Sequence, residues 1–179
     1  SAASDVYKRQ PPPSWLPDFQ KIWRQAHRAM YNCPIPIVVA LERYAINGGA
    51  ALALAADYLV AGEQSFLQVG EVKIGMAAPY NMAWMRLRHP ESVIAEVDLI
   101  GDKLGSEDMM RLNLVNQIAS DNEVVQSARA LCETIAGYPE GSTRKLKISL
   151  RVSRDKDADQ WFDLFAPSVG QEVRPSSMK

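Results

Sequence analysis

Apolar and polar positions fall into distinct helix-period and strand-period blocks from residue 18 onward. In DFQKIWRQAHRAMYN (18–32), Phe19, Ile22, Trp23, Ala26 and Met30 recur near helical spacing behind Asp18, a residue suited to an N-cap. The spacing predicts a helix of about four turns, ended by Pro34 and Pro36. The β-branched run IPIVVALERYAI (35–46) has strand character and leads through Asn47-Gly48-Gly49 into an Ala/Leu helix reaching Asp57. DYLVAG (57–62) and SFLQVGEV (65–72) predict two short strands joined by a turn at Gly62-Glu63-Gln64.

Beyond Pro79 the pattern turns mainly helical. YNMAWMRLR (80–88) and ESVIAEVDLIG (91–101) are separated by His89-Pro90. SEDMMRLN (106–113) places Ser106 as N-cap, Glu107 and Asp108 at the positive end of the helix dipole, and Asn113 at a left-handed terminus. LVNQIA (114–119) reads as a strand, and DNEVVQSARALCETIAGY (121–138), STRKLKISLRVSR (142–154) and DADQWFDLFA (157–166) as further helices. Strands first and helices second predict an α/β fold with sheet and helices in layers.

Composition narrows the class. The 179 residues are 47% hydrophobic and 23% charged with a net charge of −1, enough for one sizeable core in a single domain. That balance predicts no nucleic-acid partner. No apolar run is long enough to span a bilayer and no apolar signal segment opens the chain, so no membrane partner is predicted and the cytoplasm is the expected location. Cys33 and Cys132 lie far apart without a ligand pattern and read as ordinary reduced thiols, with no metal site. Residues 1–10 are set apart, because Asp5 to Gln10, DVYKRQ, look like the in-frame translation of a sequencing-library adapter. PPPSWLP (11–17) reads as a Pro-rich linker, and 18–179 as the domain.

The chemistry concentrates in YAINGGAALALAADYLVAG. A strand, a Gly pair and a helix start leave free N–H groups at one point, which suit an anion. The competing reading is a tightly packed helix whose glycines only permit close contact.

The longer stretch PIPIVVALERYAINGGAALALAADYLVAGEQSFLQVGEVKIGMAAPYNMAWMRL resembles the crotonase superfamily, the enoyl-CoA hydratases and isomerases. The shared features are a Pro-led apolar strand, a Tyr-Ala-x-x-Gly-Gly turn, a small-residue helix ending in Asp-Tyr, then a Glu-Val pair and a Gly. GDKLGSEDMMRLNLVNQIAS matches the family's later Gly-x-x-x-x-Ser/Ala-x-Glu helix and Leu-Val. The resemblance covers roughly residues 18 to 153. It implies a repeated ββα spiral with its N-terminal units missing and helices at the C-terminus, assembling as a homotrimer or a dimer of trimers.

It also implies roles for particular residues. The Gly48 N–H would form half of an oxyanion hole for an acyl-CoA thioester carbonyl; one such donor is worth about 3 kcal/mol. Ala45, Gly49, Ala51 and Pro79 would line the substrate site. The family's hydratases carry two glutamates, at positions occupied here by Ala51 and Glu71. A single carboxylate at Glu71 suits a proton shuttle between C2 and C4 of a 3-enoyl thioester, which is isomerase chemistry, whereas a pair suits hydration. Coenzyme A is part of the substrate, and no separate cofactor is implied.

Three departures bear on this. Glu42-Arg43 stands where the family commonly has Asn-Gly, Asn47 replaces the first of three glycines, and the loop carrying the second oxyanion donor would precede Asp18. The expectations therefore run from an isomerase, through a hydratase whose water is held by another group, to a non-catalytic acyl-CoA-binding or assembly protein. His27 and His89 lack ligand spacing and read as packing or surface residues. Arg144, Lys145, Lys147, Arg151 and Arg154 read as a solvated helical face, and the Met and Trp residues of NMAWMRL as core.

Overall fold

Two Pro residues after the first helix and a Gly-rich turn after the strands divide the chain into short segments, and these segments stack as repeats. The structure is a computed structural model and describes residues 14–152 and 154–165. The adapter-like residues 1–10 lie outside the described residues, as do Pro11 to Pro13 of the Pro-rich stretch. A short 3-10 helix, Leu16–Asp18, leads into α1 (Phe19–Asn32). Asp18 holds the N-cap position but makes no side-chain capping bond. There follow β1 (Val38–Leu41), β2 (Tyr44–Ile46), α2 (Gly48–Leu54), β3 (Tyr58–Gly62), β4 (Phe66–Gln68) and a 3-10 turn, Glu71–Ile74. Next come α3 (Pro79–Arg86), α4 (Glu91–Asp98), β5 (Leu104–Gly105), α5 (Ser106–Arg111), β6 (Gln117–Ala119), α6 (Val124–Ala136), α7 (Ser142–Ser149) and α8 (Ala158–Asp163).

The predicted strand over 35–46 is broken. Its two halves, β1 and β2, bend apart at the exposed Glu42 and Arg43 and enter different sheets, ordered β1-β3-β6 and β2-β4-β5. β1 runs parallel to β3 with Val38 opposite Tyr58, and β2 runs parallel to β4 with Tyr44 opposite Phe66. Strand, corner, strand, helix is thus one unit, and β3-β4 repeats it directly on top of β1-β2. The stacked corners leave no room at Gly62, where a Cβ would lie 2.6 Å from Asp121 Oδ1 and 3.2 Å from the Glu42 carbonyl. The strand predicted to reach Val72 likewise stops at Gln68, and the chain tightens into the 3-10 turn that carries Glu71.

Helix ends differ from the expected ones for local reasons. α2 stops at Leu54, short of Asp57, and Leu52 on it is exposed, so the helix is not buried all round. Ser106 is the first residue of α5 and not its cap, because its hydroxyl donates to the Glu63 carbonyl at 2.8 Å. Asn113 does adopt the expected left-handed conformation (φ 56). Its N–H bonds Met110 O and that of Leu114 bonds Met109 O, a Schellman closure. In α1 the inward face is Trp23, His27, Met30 and Tyr31, while Phe19 and Ile22 of the expected face are exposed. Lys147, expected on a solvated face, is buried and ion-paired to Asp57 at 2.6 Å. Among the described residues no helix is long and apolar enough to cross a membrane, and Cys33 and Cys132 are free thiols.

The core packs the small side chains of α2 against Ala83, Trp84 and Met85 of α3. His27 is wholly buried there, stacked on Tyr80 at 4.2 Å and accepting the Trp84 indole N–H on Nδ1 at 2.8 Å. An acceptor Nδ1 makes the ring neutral, with its proton on Nε2. Burial, assisted by the Arg24 guanidinium, pushes its pKa down to about 4. A depressed histidine stabilises the fold above its unfolded value and loses that contribution as pH falls through about 4. His27→Gln, which keeps an acceptor for Trp84, is expected to remove about 3 kcal/mol of acid sensitivity between neutral pH and pH 4, read from urea melts of both proteins.

Candidate active site

Gly48, Glu71 and two asparagines come together where β2 and β4 end. Asn47 sits at φ 53, ψ −113, not in the left-handed helical well that its side chain tolerates best. These angles are close to those of the first central residue of a type II′ turn, a conformation dominated by Gly. Two bonds hold it there. The Asn47 N–H donates to Gln68 O at 2.8 Å, and the Gly70 N–H donates to Asn47 Oδ1 at 2.9 Å. The turn before α2 is therefore clamped to the loop that leads into Glu71.

Asn81 of α3 completes the clamp. Its Nδ2 amide donates to Glu71 Oε1 at 3.1 Å and lies 3.3 Å from the Asn47 carbonyl. Pro79 pre-sets the first turn of α3 and so helps fix where Asn81 falls. Asn81 was not singled out from the sequence, since only the approach of α3 to the Asn47 turn gives it a partner.

Glu71 is only 9% exposed, and its Oε2 has no partner among the described residues. Burial pushes its carboxyl above the ordinary glutamate range, while its own backbone N–H and the Asn81 amide pull the other way. A proton acceptor needs this character: ionisable, shielded, with one oxygen anchored and the other available. A second carboxyl is present that the sequence reading did not identify. Asp98, 8% exposed, is pushed up to about 7 by burial and then by the negative charge of Glu71.

Gly49 is exposed and Gly48 half-buried. A Cβ on Gly49 would meet nothing within 4 Å, and one on Gly48 would touch only the Trp23 ring at 3.4 Å. Packing within the described residues demands neither glycine, so they leave the start of α2 open to approach. The first N–H groups of a helix have no intrahelical acceptor, and Gly48 and Gly49 open α2. Ala45 and Gly49 line a shallow apolar groove with Leu41, Tyr44, Ile46 and Leu52. Ala51 is buried in the core and carries no charge. His89 stands apart, beside Arg88 at a groove between α3, α4 and the end of α5.

The profile of the family described as Enoyl-CoA hydratase/isomerase matches residues 7–164. Carnitinyl-CoA dehydratase of Escherichia coli O157:H7 is 26% identical over 142 residues, covering 78% of this chain and 54% of that protein. The Salmonella typhi protein of the same name is 28% identical over 135 residues, covering 74% and 51%. The chain spans about half the length of these curated relatives. Among solved structures, an enoyl-CoA hydratase/isomerase from Mycobacterium paratuberculosis superposes with a TM-score of 0.76 at 22% identity, covering 86% of this chain and 61% of that one. An enoyl-CoA isomerase from Mtb gives 0.74 at 24% identity, covering 84% and 67%. These structures share the crotonase-like fold seen here, two parallel-stacked ββ corners each followed by a helix. With the family profile matching most of its length, the chain belongs to the enoyl-CoA hydratase/isomerase family.

Proposed function

We propose that this chain serves as an enoyl-CoA isomerase in which Glu71 is the single acid/base and the Gly48 N–H supports the oxyanion. The observation that carries the reading is the pairing of Ala51 with a buried, singly anchored Glu71 at the two positions where the family's hydratases carry glutamates. A Glu71 carboxylate oxygen takes the proton from C2 of a 3-enoyl thioester, and the C–H electron pair moves into the thioester carbonyl. The oxygen gathers negative charge toward the Gly48 N–H. Collapse of the enolate moves the double bond from C3–C4 to C2–C3, and Glu71 returns its proton at C4. Atoms and electrons balance without a separate cofactor.

A second reading is a hydratase, favoured by Asp98 as a second buried carboxyl near Glu71 and by similarity to proteins named as dehydratases. Acyl-CoA is the proposed partner in both readings, and a homotrimer or dimer of trimers the proposed assembly. The test is product analysis with this chain and with any longer natural form of it. A 3-enoyl-CoA is expected to yield its conjugated 2-enoyl isomer. Formation of 3-hydroxyacyl-CoA from a 2-enoyl-CoA without isomerisation would replace this reading with the hydratase. Acyl-CoA binding without turnover in every form would leave a non-catalytic binding protein.

A further inference from the structure

Asp98 closes α4 with a side chain that the fold does not use. Both of its carboxylate oxygens are buried and without a hydrogen-bond partner among the described residues, and Val97 beside it is equally enclosed. Nothing in helix termination or ion pairing accounts for an acid at this place.

The end of α4 is pressed onto the segment that carries Glu71. Gln68 donates its side-chain amide to Gly101 O at 2.9 Å, and the Gly101 N–H returns to Val97 O at 3.2 Å. Gly101 itself has φ +69, and a Cβ there would lie 2.7 Å from Val72 Cγ1 and 3.1 Å from the Val69 carbonyl. Residues 97–101 and 68–73 therefore form one packed layer, and Glu71 is the charge that acts on Asp98 within it.

Among the described residues no cation pairs with either acid. Lys73 is turned to Asp102 at 2.5 Å and Lys103 lies over the Phe66 ring at 4.6 Å. On the helices, Glu96 is engaged by Arg111 at 2.6 Å and Arg86 lies 3.9 Å from Glu91. Two buried carboxyls without a counter-ion do not both ionise, because desolvation and like-charge repulsion add. Their surroundings decide which keeps the proton. Glu71 accepts the Asn81 amide, which favours its charged form, whereas Asp98 accepts no hydrogen bond among the described residues.

We propose that Asp98 is the second carboxyl of the Glu71 site and that the pair holds one proton at neutral pH, resident on Asp98, leaving Glu71 as the ionised member. The consequence for turnover rests on the isomerase reading above. The site carries one negative charge when the thioester oxygen becomes anionic, and a neutral Asp98 spares the enolate a second charge. Asp98 is on this account a positioning residue that acts through Glu71.

The test is carboxyl 13C NMR of the 179-residue chain with labelled Asp and Glu, titrated with pH. Asp98 is expected to remain protonated well above the ordinary aspartate range, and Glu71→Gln to lower its midpoint by about 1 pH unit. Asp98→Asn, nearly isosteric, is expected to leave the Glu71 midpoint almost where it was, because the Asn amide stands in for the protonated Asp98 that faces Glu71 as it titrates. An Asp98 already ionised at about pH 5 overturns the proposal, as does an Asp98 midpoint that ignores the Glu71→Gln substitution. If Asp98→Asn does not fold, the Glu71→Gln titration decides alone. In the isomerase assay Asp98→Asn is expected to flatten the alkaline fall in turnover, since Asn imitates the protonated acid and has no proton to lose. Coupled NMR midpoints with no isomerase turnover in the parent chain would remove the functional reading and leave the shared proton standing.

Discussion

Replacing Glu71 by Gln is expected to lower kcat/KM for conversion of a 3-enoyl-CoA to its conjugated isomer by roughly 10²- to 10⁴-fold, the contribution of a positioned acid/base. Gln is the informative substitution because its carbonyl oxygen can still accept the Asn81 amide that Glu71 Oε1 accepts at 3.1 Å. The clamp through Asn47 and Gly70 is untouched, so the fold is expected to survive. Only the proton acceptor is lost. The buried carboxyl, already pushed above the ordinary range by desolvation, becomes a neutral amide, and stability is expected to hold or rise. The assay follows appearance of the conjugated thioester, with thermal melts run beside it. Full turnover in a folded Glu71→Gln variant would take the proton transfer away from this residue.

Local motifs and long-range contacts were unequally legible in the sequence. Gly48 was singled out by a local pattern, a strand running into a Gly pair, whereas Glu71 was singled out only through the resemblance of its Glu-Val stretch to the family's. Their meeting through Asn81 was not legible. An Asn in the first turn of a helix has many uses, and only the docking of α3 against α2 selects the bond to Glu71. Asp98 was hidden for a related reason. It ends an otherwise ordinary helix-period segment, and a lone acid there reads as a solvated C-terminal residue until Gly101 folds back on Val69 and Val72.

Strand limits show the same division. The run 35–46 opens with β-branched residues and ends on Tyr44-Ala45-Ile46, so propensity joined it into one strand, while the bend at Glu42 and Arg43 is imposed by pairing with two different partners. In α1, periodicity identified a helix but not its orientation. Phe19 and Ile22 have the right spacing for an inward stripe, yet the neighbours supplied by α3 and α8 lie over His27 and Tyr31 instead.

Asp57→Ala is expected to be among the most damaging single changes to the fold, costing about 3–5 kcal/mol as the loss of one member of a buried ion pair. Asp57 joins three separate parts of the chain. Its Oδ2 accepts the Ile37 N–H at 2.7 Å and the Lys147 ammonium at 2.6 Å, and its Oδ1 lies 3.4 Å from the Arg88 guanidinium. The entry to β1, the start of α3's trailing turn and helix α7 therefore meet on one carboxylate. Lys147 is only 4% exposed and Arg88 is half sheltered, with burial pushing its pKa down against the pull of Asp57. Without Asp57, two cations face each other's field with the carbonyls of Ile35, Leu54 and Ala55, and for Arg88 the Trp84 ring, to receive them. Lys147→Met is expected to cost far less, since an apolar side chain of similar length fills the same space and leaves Asp57 to Arg88 and Ile37. The double variant Asp57→Ala with Lys147→Met is then expected to recover part of the loss, because no ammonium remains stranded. Urea unfolding of the four proteins measures this coupling directly. A double variant as unstable as the sum of the two single changes would show that the ammonium and carboxylate act independently and that the packing of α7, not its charge pair, holds this corner.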